Sequence, residues 1–468
     1  MTKPKKYKAL FHLFIKYGSI WQSVLLITLA YLIWRIYYPG IMSPDSIEQY
    51  GQALKNDFVD WHPPLMSLIL ALTFKVGGGI ATLIFFQCLA ALFGLRSTVA
   101  LLLQFFSDMS ISKSKSKFIG TIFTVVFLAP FLTPYLFISV IFWKDAWLSI
   151  ILLWIVSYFT WLFLNIGIFS KRSFIVHLLI LSFISTSLVL IRHNIMVTIP
   201  VICLLTAFLC GRKLNRVGYA LGFVPLILAF SINPVVDYLF NVQHVKAGNL
   251  IVATDLTTMV RLFPELEPEY PATIKHRTTP RPNPKDLIIE LGNDNEELRN
   301  EYLKTFSNHP IKLLAAKSHR FGQMLTYENA LKQKLAYDII LNQYGLKTNE
   351  DYSEIRYKLN DLSSKTENKW YFIWFSGLHI VWIVINLLAL IYFLYRTLIK
   401  RDTHSLYTLL LLLIPLSYYS SYLLSATTSD YRFMYPATLL TQVIVLSFGI
   451  AGITQFKDRR AVSTKPDI

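Results

Sequence analysis

The sequence predicts an all-α polytopic membrane protein: a bundle of about ten transmembrane helices with a mainly helical extracytoplasmic segment. Three observations predict it. Of 468 residues, 54% are hydrophobic and only 16% charged, and apolar runs of about 20 residues, the length that spans a bilayer core, recur along the chain. Six segments flanking those runs (1–16, 107–117, 171–172, 211–216, 396–402 and 455–468) hold 20 basic residues against 4 acidic ones. The long polar segment 241–369 is nearly balanced, with 18 basic and 17 acidic residues. Basic residues gather on cytoplasmic loops, so the six segments face the cytoplasm, both termini included, and 241–369 faces outward from the cell membrane. The net charge of +17 therefore lies in short pieces between spans, which excludes nucleic acid as a partner.

Taken in order, the chain divides into an N-terminal transmembrane module (1–240), the extracytoplasmic segment (241–369) and C-terminal transmembrane helices with a cytoplasmic tail (370–468). The run 17–38 is long enough to span and lacks a small-residue cleavage site, so it stays as span 1. It delivers the first outer loop, 39–79, which is dense in carboxylates. Within that loop 65–76 is apolar but covers only about 18 Å as a helix, too short for a core of about 30 Å. It reads as an interfacial or re-entrant helix. Further spans are expected at 80–104, 118–141, 146–168, 173–190, 195–210, 217–240, 370–395, 404–424 and 433–454. In 241–369 the prolines of 264–284 predict an irregular loop, and helical periodicity marks 286–292, 296–307 and 310–327. Ile311, Leu313, Leu314, Phe321, Met324 and Leu325 form an apolar face with Lys312, Lys317 and Arg320 around it, as suits a helix lying on the bilayer or capping the spans. Cys88, Cys203 and Cys210 all lie in apolar runs and read as small buried residues.

With this topology the conspicuous polar residues near span ends meet at one face. Asp45, Glu48, Asp57, Asp60, Trp61 and His62 come from the first outer loop, Lys144 and Asp145 from the second, Arg192 and His193 from the third, and Asp430, Tyr431 and Arg432 from the last. Carboxylates beside separated cations suit general-base chemistry next to a bound phosphate. Each residue also has a plainer reading. Asp45 could be the N-cap of a helix starting at Ser46, since Ser43-Pro44-Asp45-Ser46 is a good helix start. Asp60 and His62 could only shape the turn before Pro63, Lys144 and Asp145 could pair with each other, Arg432 with Asp430, and Arg192 could snorkel to headgroups. Trp61, Trp143 and Tyr431 lie where a sugar ring could stack. Arg96, deep in an apolar run, favours a transporter or flippase for a lipid-linked saccharide.

An acidic motif after span 1, Asp45-Ser46-Ile47-Glu48-Gln49, is followed by Asp60-Trp61-His62-Pro63-Pro64 ahead of a short apolar helix. Together with Trp143-Lys144-Asp145, Arg192-His193-Asn194 and Asp430-Tyr431-Arg432, this resembles the GT-C superfamily of polytopic glycosyltransferases, in a bacterial branch. Protein O-mannosyltransferases, the aminoarabinose transferase and oligosaccharyltransferases belong to it. The resemblance covers residues 1–145 best. It implies an enzyme that transfers a sugar from a polyprenyl-phosphate donor to a hydroxyl of an extracytoplasmic glycan, lipid or protein, with inversion. It places the candidate base at Asp45, with Asp60 as a possible sharer. Lys144, Arg192 and Arg432 are the expected phosphate ligands, and Glu48, Trp61, His62, Asp145, His193, Asp430 and Tyr431 the expected substrate contacts. Many members carry two adjacent acids where this chain has Asp45-Ser46, which leaves a divalent metal open; none is predicted. An outer-face ligase or acyltransferase is the remaining alternative.

Overall fold

The structure is a computed structural model that describes residues 3–108, 110–215, 218–244, 248–269, 296–325, 339, 342–367, 369, 378–426 and 430–463. Among these every regular element is helical. They are α1 (Lys3–Ile36), α2 (Pro44–Lys55), α3 (Leu65–Lys75), α4 (Ile80–Phe106), α5 (Lys113–Phe127), α6 (Tyr135–Val140), α7 (Lys144–Asn165), α8 (Lys171–Ser187), α9 (Ile199–Leu214), α10 (Gly218–Leu221), α11 (Val224–Phe240) and α12 (Gly248–Leu262). After them come α13 (Glu296–Asn308), α14 (Pro310–Leu325), α15 (Ser353–Glu367), α16 (His379–Lys400), α17 (Thr403–Ser425) and α18 (Tyr435–Ser463). Among the described residues nine helices are long and apolar enough to cross a membrane. The chain is a polytopic helical membrane protein.

The expected span 118–141 is corrected. It is not one helix but two, α5 and α6, interrupted at 128–134. Pro130 and Pro134 lack backbone N–H groups and cannot continue the ladder. Within a bilayer the carbonyls so freed need partners from the protein. Thr133 Oγ1 donates to Phe127 O at 2.6 Å, and Tyr135 Oη donates to Ala91 O at 2.8 Å. Gln87, fully buried on α4, donates through Nε2 to Ile138 O at 3.0 Å and Ile141 O at 2.9 Å. The pair α5–α6 still runs the length of α4: Gln104, near its end, bonds Ser116 at 2.9 Å, and Gln87, near its start, bonds the end of α6. Gly120 makes the close packing of α4 and α5 possible, because a Cβ there would fall 2.6 Å from the Arg96 carbonyl.

α4 is the hub, packed against α1, α3, α5, α6, α7 and α18. The turns 107–117, 171–172, 211–216 and 396–402 gather at one end of the bundle: Lys213 Nζ donates to Ile166 O at 2.9 Å, and His404 faces Asp108 at 3.5 Å. The other end is organised by a two-residue parallel bridge between Ile41 and Ile141. Ile41 N donates to Val140 O at 3.0 Å and Phe142 N to Ile41 O at 2.9 Å. From this bridge two helices start side by side, α2 at Pro44 and α7 at Lys144, each with an aspartate in its first turn. Ser46 Oγ donates to Phe142 O at 2.6 Å, and Trp143 Nε1 to Ser43 Oγ at 2.8 Å. Ser43 and Ser46 also form a reciprocal capping box on α2, which satisfies donors that a helix start leaves open.

α12, α13 and α14 form a small helical unit with its own core, in which Leu250, Leu256, Met259, Leu298, Leu313 and Ala316 are buried. Here the expected apolar face of 310–327 is redrawn. Ile311 and Leu314 are exposed, whereas Arg320 is buried beside Leu313, Ala316 and Met324. α14 packs against α16 and α17, and Lys317 Nζ donates to Leu424 O at 3.0 Å, so this helix caps the spans. The helix expected at 286–292 lies outside the described residues, and α3, at 11 residues, is too short to cross on its own.

Candidate functional site

The paired starts of α2 and α7 bring Asp45 beside Lys144 and Asp145, and the ends of two distant spans close the arrangement. A narrow cleft of about 10 Å³ is lined by Asp45, Gln49, His62, Trp143, Lys144, Asp145 and Arg432. Arg432, between α17 and α18, holds two carboxylates: its Nη2 lies 2.9 Å from Asp45 Oδ2 and its Nε 2.8 Å from Asp430 Oδ2. Its guanidinium also covers the Trp143 ring, 4.7 Å from the centroid, as a cation over a π face. On the opposite flank Lys144 Nζ is 2.9 Å from His62 Nδ1, and His62 Nε2 is 3.8 Å from Asp45 Oδ1. An ammonium donates and does not accept. With Lys144 charged, Nδ1 therefore accepts and the ring proton sits on Nε2, facing Asp45.

Behind the cleft Arg192 pairs with Asp145 in a contact that is nearly fully buried. The Arg192 guanidinium stacks over Phe433 at 4.3 Å and Tyr422 at 5.5 Å. Two rings and a carboxylate fix this cation, so it braces Asp145 instead of lining the cavity. Burial opposes the charge on Arg192, but Asp145 together with Tyr422 and Tyr418 outweighs it and keeps the guanidinium protonated.

The two carboxylates on Arg432 are biased in opposite directions. Burial pushes Asp45 up, but Arg432, His62 and Lys144 together outweigh it, and the carboxyl is held below its ordinary value. For Asp430 burial wins over the attraction of Arg432, and its value is raised. Asp45 thus stays ionised, while Asp430 is the member that accepts a proton first.

Several expected residues lie elsewhere. Asp60 does not line the cleft. Its N–H donates to Gln243 O at 3.0 Å next to the Val59–Gln243 bridge, and its Oδ2 lies 2.8 Å from His244 Nδ1. That backbone tether turns the Asp60 carboxylate toward the segment after α11, so the sharing of Asp45's role expected of Asp60 has no geometric basis. His193 faces Asp60 and not Asp45. Trp61 packs on the core of the α12–α14 unit, away from any free ring face in the cleft. Glu48 lines a separate groove on another face of α2. The expectation at Tyr431 concerns a side chain outside the described set. Reading by sequence missed Gln49, whose only signal is its place one turn after Asp45, and Phe433, which follows Arg432 directly. Among the described residues no group of three or more His, Cys, Asp or Glu side chains is arranged to hold a metal ion.

Fold and site together define a class: a polytopic helical membrane protein with a compact charged cleft where its second and seventh helices begin. Comparison of the chain with known protein families, with curated proteins and with solved structures finds no match.

Proposed function

We propose that this protein is a membrane glycosyltransferase of the GT-C type, moving one sugar from a polyprenyl-phosphate donor to an acceptor hydroxyl. The observation that carries the reading is the placement of Asp45 between Arg432 and the His62–Lys144 pair, four side chains from three distant stretches of chain in one small cleft. Asp45 takes the proton of the acceptor hydroxyl as that oxygen bonds to the anomeric carbon. The bond from that carbon to the phosphate oxygen breaks on the opposite face, and the electron pair leaves with the phosphate. Arg432 and Lys144 balance the growing charge on the leaving group, and the product is the polyprenyl phosphate. The basic turns at the far end of the bundle support a cytoplasmic side there and an outer-face cleft.

A base held at low proton affinity is a weak one. The arrangement supplies its own remedy, because the guanidinium that depresses Asp45 is also a natural phosphate ligand. A phosphate that draws Arg432 toward itself relieves Asp45 and strengthens it as a base while the donor is bound. Asp430 can take up a proton to offset the added negative charge. Arg96, the feature that favoured transport, bonds Gln22 at 2.9 Å and Ser23 at 3.2 Å inside the bundle, which makes it a packing contact.

Asp45→Asn keeps size and polarity and removes the base. Reconstituted with short-chain polyprenyl-phosphate sugars and envelope glycan, the variant is expected to lose transfer by about 10³-fold at unchanged melting temperature. Transfer within tenfold of the natural protein would remove Asp45 from the role. The mass added to the acceptor separates a single sugar from the larger group that a ligase or acyltransferase would move.

A further inference from the structure

On another face of α2 runs an open groove of about 480 Å³, lined in part by Glu48, Gly51, Gln52, Lys55, Gln343 and Tyr344. It is far roomier than the charged cleft, which as it stands has space for about one water. The two cavities flank the start of one helix: Pro44 lines the groove and Asp45, the next residue, lines the cleft.

The groove is shaped around specific side chains. Gly51 leaves room for Tyr344, since a Cβ there would fall 2.1 Å from the Tyr344 hydroxyl oxygen. Tyr344 also packs on Tyr50, with ring centroids 5.3 Å apart, and its hydroxyl accepts from Gln343 Nε2 at 2.9 Å. The loop that carries it is tied down by Asn342 Oδ1, which accepts from Tyr344 N and Leu346 N at 3.1 Å each. Gln52 is 8% exposed. Its Oε1 is taken by the Ser67 hydroxyl at 3.1 Å, and its NH₂ has no partner among the described residues. That amide borders the open groove, where a ligand or water can meet it.

We propose that this groove binds the acceptor, a neutral chain of hydroxylated sugar rings, and passes its terminal hydroxyl over Pro44 to Asp45. The proposal rests on the transferase reading above and adds the acceptor's chemistry to it. Sugar hydroxyls both donate and accept, matching a lining of two carboxylates (Glu48 and Asp57), two amides and a phenol; the Tyr344 ring offers an apolar face to a sugar ring. Pro44, Ile47 and Val59 lie among these polar groups, a mixed lining that suits sugar rings, with apolar faces and hydroxyl edges, better than an acyl chain; a polyanionic polymer would be repelled by the two carboxylates against the single Lys55.

The test places a photo-crosslinking residue in the groove wall, Gln343→p-benzoylphenylalanine, in the full-length protein in its native membrane. After irradiation the adducts are digested and weighed. Adducts that differ by pentose, hexose or aminosugar increments are expected, falling at least tenfold when Gln52→Ala is added. Should Gln52→Ala lower the melting temperature, the isosteric Glu48→Gln replaces it with the same expectation. Adducts made of phospholipid or peptide, or a glycan yield indifferent to both substitutions, would overturn the groove assignment. Asp45→Asn keeps the two ideas apart. Glycan adducts that persist while transfer is lost support both, and transfer that persists sinks the transferase reading while glycan adducts still establish the groove as a binding site.

Discussion

Two regions of this molecule are built from the same parts and do opposite things with them. In the cleft Asp45 meets Arg432 and, through His62, Lys144, with Trp143 beside them. In the α12–α14 unit Asp255 meets Lys317 and Arg320, with the Tyr302 hydroxyl donating to it at 3.1 Å. Asp255 is wholly buried and the side chains of both its cations are almost so, whereas the Asp45 side chain keeps 37% of its surface exposed. A carboxylate sealed between two cations has nowhere to put a ligand. Breaking such a set strands a charge in the interior, which typically costs about 3–5 kcal/mol. A half-open set is worth far less to stability, because water competes for every partner. For that reason its cations are able to leave a protein carboxylate for a phosphate. What distinguishes a site from a brace is access, not composition.

The sharpest way to break this comparison is to make the same change in both places. Asp45→Asn should cost about 10³-fold in transfer and leave melting unchanged. Asp255→Asn should cost about 3–5 kcal/mol of stability, read as a lower melting temperature, with activity per folded molecule near normal. A variant at Asp255 that melts normally, or one at Asp45 that unfolds, would reverse the assignment of the two regions.

Arg432→Lys retains the charge but not the planar fork that spans Asp45 and Asp430. Losing one charge-assisted bond to the phosphate should raise the donor KM about ten- to hundred-fold. The same exchange at Arg320 should leave the donor KM alone.

The pH profile refines the cleft further. Asp45 is depressed by its cations, so its ionised form is complete above the ordinary carboxylate value of about 4 and is lost only as pH falls through the lower folded value. The acid limb of kcat/KM, which reports the free enzyme, should therefore lie below about pH 4, and that of kcat should lie higher, because bound phosphate draws Arg432 away. Coincident limbs would mean that Arg432 does not change partners. Asp430 is shifted the other way, so donor affinity should strengthen as pH falls through a value above the ordinary carboxylate one of about 4, and Asp430→Asn should flatten that dependence.

The smallest effect is expected outside both regions. Asp60 pairs with His244, whose side chain is 61% exposed, so Asp60→Asn should change stability by no more than about 1 kcal/mol and transfer by less than about twofold. A thousandfold loss there would return Asp60 to the chemistry and show that the cleft is incomplete as drawn.

Legibility in the sequence followed the range of the interactions concerned. The start of α2 was readable to within two residues, because Ser43-Pro44-Asp45-Ser46 acts on itself within one turn; the cap is Ser43 and not Asp45, since Ser43 forms the reciprocal pair with Ser46. The break in the expected third span was half readable: Pro130 and Pro134 were in plain view, but a membrane helix tolerates proline when its freed groups find partners, and Gln87, which holds the far end of α6, lies on α4. The amphipathic face of α14 was misdrawn because Arg320 counts as polar in any periodicity, and only Asp255 explains why it is buried. Asp60 looked equivalent to Asp45 until the Val59–Gln243 bridge turned it toward His244.

By itself the sequence determined the solvent: runs of apolar residues and basic turns settle that this chain crosses a bilayer many times, because transfer free energy adds up residue by residue with no knowledge of neighbours. It also determined which charged residues sit at helix ends. Which of them share a cavity was decided by tertiary structure alone. Asp45 and Arg432 are 387 positions apart in the chain, and no local propensity couples them. Their meeting follows from the Ile41–Ile141 bridge and the packing of α17 and α18 around it, in which each contact is too weak and too remote in sequence to leave a pattern in one chain.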